Sequence, residues 1–245
     1  MQEIKGKVEE NPHYMVVEED RHAQLLVSEE EEKIRIFGSD GTISSPRIPI
    51  RESDVIERAI SQITQWAKLY NILYSENSES NMSVEFNIKR VEGTRGPTTI
   101  GEPEISFNAG EKVRLQVKNT SSKKLYLTIL DLSSDGSSKM LYPIAGEEEF
   151  LAPDSTPWEE EFETFVPGDL PQVRDMLKLI ATEEPVSFGF LEQDPIRGFD
   201  DPISANGLKA LLADVVMKSR GTKPFVSNVG SWTTRLVVYD IKKPK

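Results

Sequence analysis

Cysteine is absent from the 245-residue chain, which removes disulfides, thiolate metal sites and cysteine nucleophiles from its chemistry. Histidine is scarce, with only two residues. Long apolar runs are missing as well. Leu127 to Leu130 and Val215 to Met217 are typical of what is present, far short of the ~20 residues a membrane-crossing helix needs. The opening stretch MQEIKGKVEENPHY has no apolar segment of the signal-peptide kind, so no such leader and a cytoplasmic setting are expected. A basic stripe is lacking too. Lys and Arg total 29 against 41 Asp and Glu, for a net charge of −12, a balance that repels phosphate backbones. Lys123-Lys124 and Lys242-Lys243-Pro244-Lys245 are too short, and too poor in aromatics, to reverse it. Neither a nucleic acid nor a membrane is expected as a partner.

What is present is a hydrophobic fraction of 37%, low but adequate for a core in a chain of this length. The acid is clustered at Glu18 to Asp20, Glu29 to Glu32, Glu147 to Glu149 and Glu159 to Glu161. Such runs mark solvated turns and guarded strand edges, or alternatively a surface for a basic partner.

Tyr14 to Val17, Gln24 to Val27 and the alternating Lys33 to Phe37 predict a small meander. From Ser53 to Tyr74, Ile56, Ile60, Ile63, Ala67, Tyr70 and Leu73 recur every three or four residues behind the cap candidates Ser53 and Asp54, which predicts an amphipathic helix. The apolar-free SENSESN at Ser75 to Asn81 then marks a boundary. Beyond it, Val84/Phe86/Ile88, Val113/Leu115/Val117 and Leu125/Leu127/Ile129 alternate with mostly polar residues, as half-buried strands do. Met140 to Tyr142, Phe162 to Val166, Met176 to Ile180, Phe188 to Leu191 and Trp232 to Ile241 are further strand candidates, with a hairpin-type turn at Asp135-Gly136. Ser204 to Ser219 reads as an inserted helix, and Glu192 to Ile203 as a long surface loop.

The expected fold is therefore α+β and β-dominated. A small meander-plus-helix subdomain at 1–80 precedes an antiparallel β-sandwich with one inserted helix at 82–245.

No constellation of residues carries chemistry. His13 and His22 lie near Glu18, Glu19 and Asp20 but are not spaced as a helical ligand pair. Asp131, Ser133 and Asp135 resemble the start of a calcium loop, yet position 142 is Tyr142 where the bidentate Glu is required. The nucleophile elbow G-x-S-x-G and a phosphate-cradling glycine loop are absent from the sequence. Trp66 and Trp232 read as core. Trp158, set in Pro157-Trp158-Glu159-Glu160-Glu161, is the tryptophan expected at a partner surface, together with the loop residues Asp194, Arg197, Asp200 and Asp201. No catalytic residue, metal or cofactor is expected, and the chain is read as non-enzymatic.

The ordered series Gly110-Glu111-Lys112-Val113, Leu125-Tyr126, Asp135-Gly136, Leu141-Tyr142-Pro143, Leu151-Ala152-Pro153 and Lys178-Leu179-Ile180-Ala181-Thr182 resembles a bacterial family of uncharacterised domains that often follows caspase-like (metacaspase-type) peptidase domains. Trp66-Ala67-Lys68-Leu69 and Trp232-Thr233-Thr234 are similar to the flanks of that region. The family's peptidase activity uses a His and Cys dyad in a separate domain, and this chain has no Cys. The resemblance implies an accessory or regulatory module whose partner is a caspase-like peptidase domain or its substrate. The rival expectation is an extracellular-type β-sandwich that binds glycan or calcium.

Overall fold

A computed structural model describes residues 1–12, 14–38, 45–91, 105–133, 135–143, 150–166, 171–196 and 232–243. The helix expected at 204–219 lies outside the described residues, as do His13 and the acid run at 147–149. The chain divides into two compact units. The first gathers Met1–Tyr74, Ser134–Ser138 and Phe190–Asn228; the second gathers Ser75–Ser133, Lys139–Gly189 and Val229–Lys245. The fold is α+β and dominated by strands.

In the first unit a short helix, α1 (Gln2–Glu9), precedes a 3-10 turn at Asp20–His22. The strands β1 (Leu25–Glu30), β2 (Lys33–Gly38) and β3 (Ile48–Pro49) then form one antiparallel sheet in that order. Ile34 and Ile36 are buried while Lys33 and Arg35 reach solvent, the period of two that the sequence displays. Tyr14 to Val17, expected as a further strand, joins no sheet among the described residues. The hairpin from β1 to β2 turns on Glu31 and Glu32, with φ of 51° and 58°. A two-residue turn with both φ values positive favours Asn-Gly; here the two carboxylates are instead ion-paired to Arg47 at 3.5 Å and Arg51 at 2.8 Å.

Helix α2 (Val55–Leu73) buries Ala59, Ile63, Trp66 and Tyr70 at spacings of three and four; of the stripe expected from sequence, Ile63, Tyr70 and Leu73 are buried, while Ile56, Ile60 and Ala67 are only half-buried at its margin. Trp66 is wholly buried and its Nε1 donates to Ser45 Oγ. The capping expectation needs correction: Asp54 occupies the cap position but makes no side-chain cap hydrogen bond. Two later pieces of chain complete this unit. Ser138 and Gln193 exchange backbone hydrogen bonds of 3.0 and 2.9 Å, and the Ile196 N–H donates to the Asp135 carbonyl at 3.0 Å. Gly136 between them has φ of +83°, and a Cβ there would stand 2.7 Å from Ile196 Cδ1 and 3.5 Å from the Trp66 ring. No side chain fits.

The second unit holds two sheets. The smaller joins β4 (Val84–Arg90), β6 (Lys112–Asn119) and β10 (Trp158–Glu163), with β6 in the middle. The larger runs β5 (Ile105–Asn108), β12 (Trp232–Lys242), β11 (Gln172–Thr182), β7 (Leu125–Ser133) and β8 (Ser138–Tyr142), with β9 (Phe150–Leu151) also on β7. The expectation of purely antiparallel strands fails at one edge, because β5 runs parallel to β12. Two further boundaries move: the strand expected at 162–166 is Trp158–Glu163, and 188–191 forms a 3-10 turn at Gly189–Leu191 instead of a strand. Both sheets feed one core, through Phe86 and Ile88 from β4, Leu115 and Val117 from β6, Ile129 from β7, and Leu177 and Leu179 from β11. Phe107 packs edge-on against Tyr239 at 5.6 Å. Burial, and then the carboxylates of Asp175 and Asp131, push the Tyr239 hydroxyl above its ordinary range.

The face of β11 turned away from this core is buried as well, and it carries charge. Arg174 lies directly opposite Asp240 on β12 and donates to both its oxygens, at 2.9 and 3.2 Å. Lys178 is 2% exposed and donates from Nζ to the Ser75 carbonyl at 2.8 Å, which also accepts from Thr234 Oγ1 at 2.9 Å. Burial lowers the Lys178 ammonium from 10.5 to about 8, with Glu76 opposing the shift.

Two expectations follow from these features. Replacing Glu31 by Asn and Glu32 by Gly relieves two left-handed backbones and raises stability by about 1 kcal/mol, read as a higher urea midpoint. Between about pH 8 and 10.5 the unfolded chain holds a Lys178 proton that the folded chain has released, so stability from this group rises across that window. Lys178→Met is expected to remove that rise, and identical pH slopes for wild type and variant in chemical denaturation would refute it.

Candidate functional site

The first unit contains a cavity of about 330 Å³, at the lower end of the range that ligand and segment-binding clefts occupy. Its walls come from sequence-distant pieces: Ile4 and Val8 on α1, the extended stretch Tyr14 to Val17, Leu25 to Val27 on β1, and Ile63, Ala67 and Tyr70 on α2. The position of α1 is set by Ile4, which is 2% exposed, while Lys5 and Lys7 pair with Glu9 and Glu10 on the solvent side. The extended stretch is pinned by Tyr14, whose hydroxyl donates to Thr64 Oγ1 at 2.8 Å; Thr64 in turn donates to the Ile60 carbonyl at 2.9 Å. Burial raises the Tyr14 phenol above its ordinary value, against the hydrogen bond with Thr64, which lowers it. The hydroxyl stays protonated and keeps donating.

Large apolar side chains are left in water at this cavity. Met15 is 74% exposed, Met1 45% and Val16 41%. Met15 is long and unbranched, able to mould itself to different apolar partners. The polar lining residues Lys5, Asp20, His22, Gln24 and Asn71 set hydrogen-bonding groups among the apolar ones. Sequence reading missed this groove because α1 carries only Ile4 and Val8 around Gly6, an i, i+4 pair too sparse to mark a helix before its partner on α2 is known.

The residues singled out from sequence fall elsewhere. Trp158 opens β10 and is half-buried, its ring centred 4.9 Å from that of Tyr142 and packed on the shared core. Glu159 and Glu161 lie on the opposite face of β10, where Arg114 is 3.4 Å from Glu159 and donates from Nε to Glu161 at 2.9 Å; Gln116 also donates to Glu159, at 2.5 Å. Glu160 is exposed. Asp194 belongs to the first unit and is exposed, whereas Arg197, Asp200 and Asp201 lie outside the described residues. His22 is exposed in its 3-10 turn. Asp135 accepts from the Ser137 N–H at 2.8 Å, an ordinary Asx turn. Among the described residues no three His, Cys, Asp or Glu side chains come together as a metal site, and no helix is long and apolar enough to cross a membrane.

No protein-family model and no curated protein matches the sequence. One X-ray structure, described as Northeast Structural Genomics Consortium target SoR45, is similar at 15% identity with a TM-score of 0.23, over 42% of this chain and 74% of that one.

Tyr14→Phe removes the hydrogen bond that ties the groove wall to α2, at an expected cost of about 1 kcal/mol. The same change should speed amide exchange over residues 14–17, and exchange identical to wild type would show that the wall is held by packing alone.

Proposed function

We propose that this protein is a non-catalytic interaction module whose recognition surface is the groove of the first unit. The observation that carries the reading is the exposure of Met15 and Val16, at 74% and 41%, on the wall of a cavity of mixed polar and apolar lining. Apolar side chains grouped around a concave site and left in water are a recurrent mark of partner binding. The second unit is read as a β-sandwich, two sheets facing each other over one core, and it acts as scaffold. The partner is a protein. Its assignment to caspase-like proteolysis, as the peptidase domain or its substrate, rests on the resemblance of the strand-end motifs from Gly110 to Thr182. With no Cys in the chain, its part in that proteolysis is recognition, and a cytoplasmic setting goes with this reading.

The double variant Met15→Glu/Val16→Glu is expected to shift the melting midpoint little, since Met15 is largely and Val16 partly in water already. In affinity capture from lysate of the protein's own source, the wild type should recover a caspase-like peptidase or its substrate and the double variant should not. Equal recovery by both proteins, or none by the wild type beyond a charge-matched acidic control, overturns the assignment.

A further inference from the structure

β1 is the outer strand of its sheet: β2 pairs with one side along its whole length, and no described strand pairs with the other. The direction of its backbone groups follows from β2. The Ile36 carbonyl accepts from the Ser45 N–H at 2.8 Å, and Ile34 stands opposite Ile48 of β3. The N–H and C=O groups of Ile34 and Ile36 therefore point towards β3 and away from β1. In an antiparallel ladder this makes Val27↔Ile36 and Glu29↔Ile34 the pairs without mutual hydrogen bonds. By the same alternation, the N–H and C=O groups of Leu25, Val27 and Glu29 point outward at the free edge. None of these backbone groups meets a partner among the described residues.

The groove lies along this edge. Leu25, Leu26 and Val27 all line it, and because successive strand residues face opposite sides, a cavity touched by three in a row meets the strand side-on. Charge brackets the same edge. Asp20 lines the groove just before β1, and Glu29 stands near the strand's other end. The neighbouring acids are answered by Arg21 on Glu19 and Arg35 on Glu30, but Glu18, Asp20 and Glu29 have no ion pair among the described residues.

We propose that the groove receives an extended segment of a partner protein that adds to β1 as a new strand. Its apolar side chains enter the groove at alternate positions, and lysine or arginine at its ends faces Asp20 and Glu29. Main-chain hydrogen bonds to Leu25, Val27 and Glu29 supply affinity, and the alternate pockets supply selectivity. This rests on the reading of the groove as a recognition surface and gives the conformation and charge of what it recognises.

The probe is a fluorescein-labelled peptide of alternating valine and threonine with lysine at each end, titrated into the full chain by anisotropy with amide exchange followed in parallel. Slower exchange is expected at the amides of Leu25, Val27 and Glu29, while the already bonded amides of Leu26 and Ser28 hardly change. Affinity should fall by about tenfold or more when alternate peptide amides are N-methylated, and again when glutamate replaces the terminal lysines. Val27→Pro removes one outward N–H at an edge position where proline is tolerated, and should show the same loss with the melting midpoint kept; if it fails to fold, the N-methylated peptide decides alone. Unchanged edge amides at saturation, or equal binding of the N-methylated peptide, overturn the proposal. So does preferential binding of a basic amphipathic helical peptide that Met15→Glu/Val16→Glu abolishes, which leaves the groove a recognition surface. Sedimentation showing a dimer that Val27→Pro dissolves overturns it in favour of a second copy as occupant.

Discussion

The second unit depends on strand β11 being hydrogen-bonded on both sides at once. It is paired with β12 from Gln172↔Lys242 to Thr182↔Trp232, and with β7 from Asp175↔Ser133 to Thr182↔Tyr126. Because side chains alternate with a period of two, those ladders decide which residues meet the shared core: Leu177, Leu179 and Ala181 do. A slip of one residue would drive Lys178 into that core and lift three apolar side chains out of it. The far face is as deeply buried at Met176, Lys178 and Ile180, so β11 has no solvated side on which to tolerate error. A lysine at its centre persists because the ammonium reaches the Ser75 carbonyl, in keeping with the rule that a buried charge must be answered.

The two units treat their sheet edges differently. On β10 the outer face is occupied by Glu159 and Glu161, bound to Arg114, while Glu160 falls on the same side as Trp158 and Phe162. A charge on the core side of an edge strand discourages a further strand from joining. β1 lacks that protection over Leu25 to Val27, and its acids begin only where the strand ends. The acid runs, which look alike in the sequence, thus serve one edge as a guard and the other as a border.

How much was legible follows from where each signal resides. β4 and β6 declared themselves because each has one face in the core and one outside it, so Val84/Phe86/Ile88 and Val113/Leu115/Val117 alternate visibly, whereas β7, buried on both faces at Leu127 to Leu130, reads as a nearly continuous apolar run. The helix α2 was equally clear from its apolar period. Trp158 to Glu163 did not read as a strand because three successive glutamates conceal its pairing with β6; Arg114 and Gln116, which neutralise them, are far away in sequence. The left-handed turn at Glu31-Glu32 gave no warning either, since neither residue is one that such a turn favours. The groove was illegible for a different reason. Its walls come from α1, Tyr14 to Val17, β1 and α2, and each fragment alone is too short to announce a concave surface.

The crowding at Gly136 bears on how this chain can be divided. Three stretches far apart in sequence meet where an added carbon would press on Ile196: the turn at 135–138, Ile196 itself, and Trp66 of the long helix. A fragment ending at Tyr74 would carry the whole groove yet strip Trp66 of the cover that keeps it at 0% exposure. The first body is written in three separate stretches of the chain, so no single continuous segment of the gene encodes it.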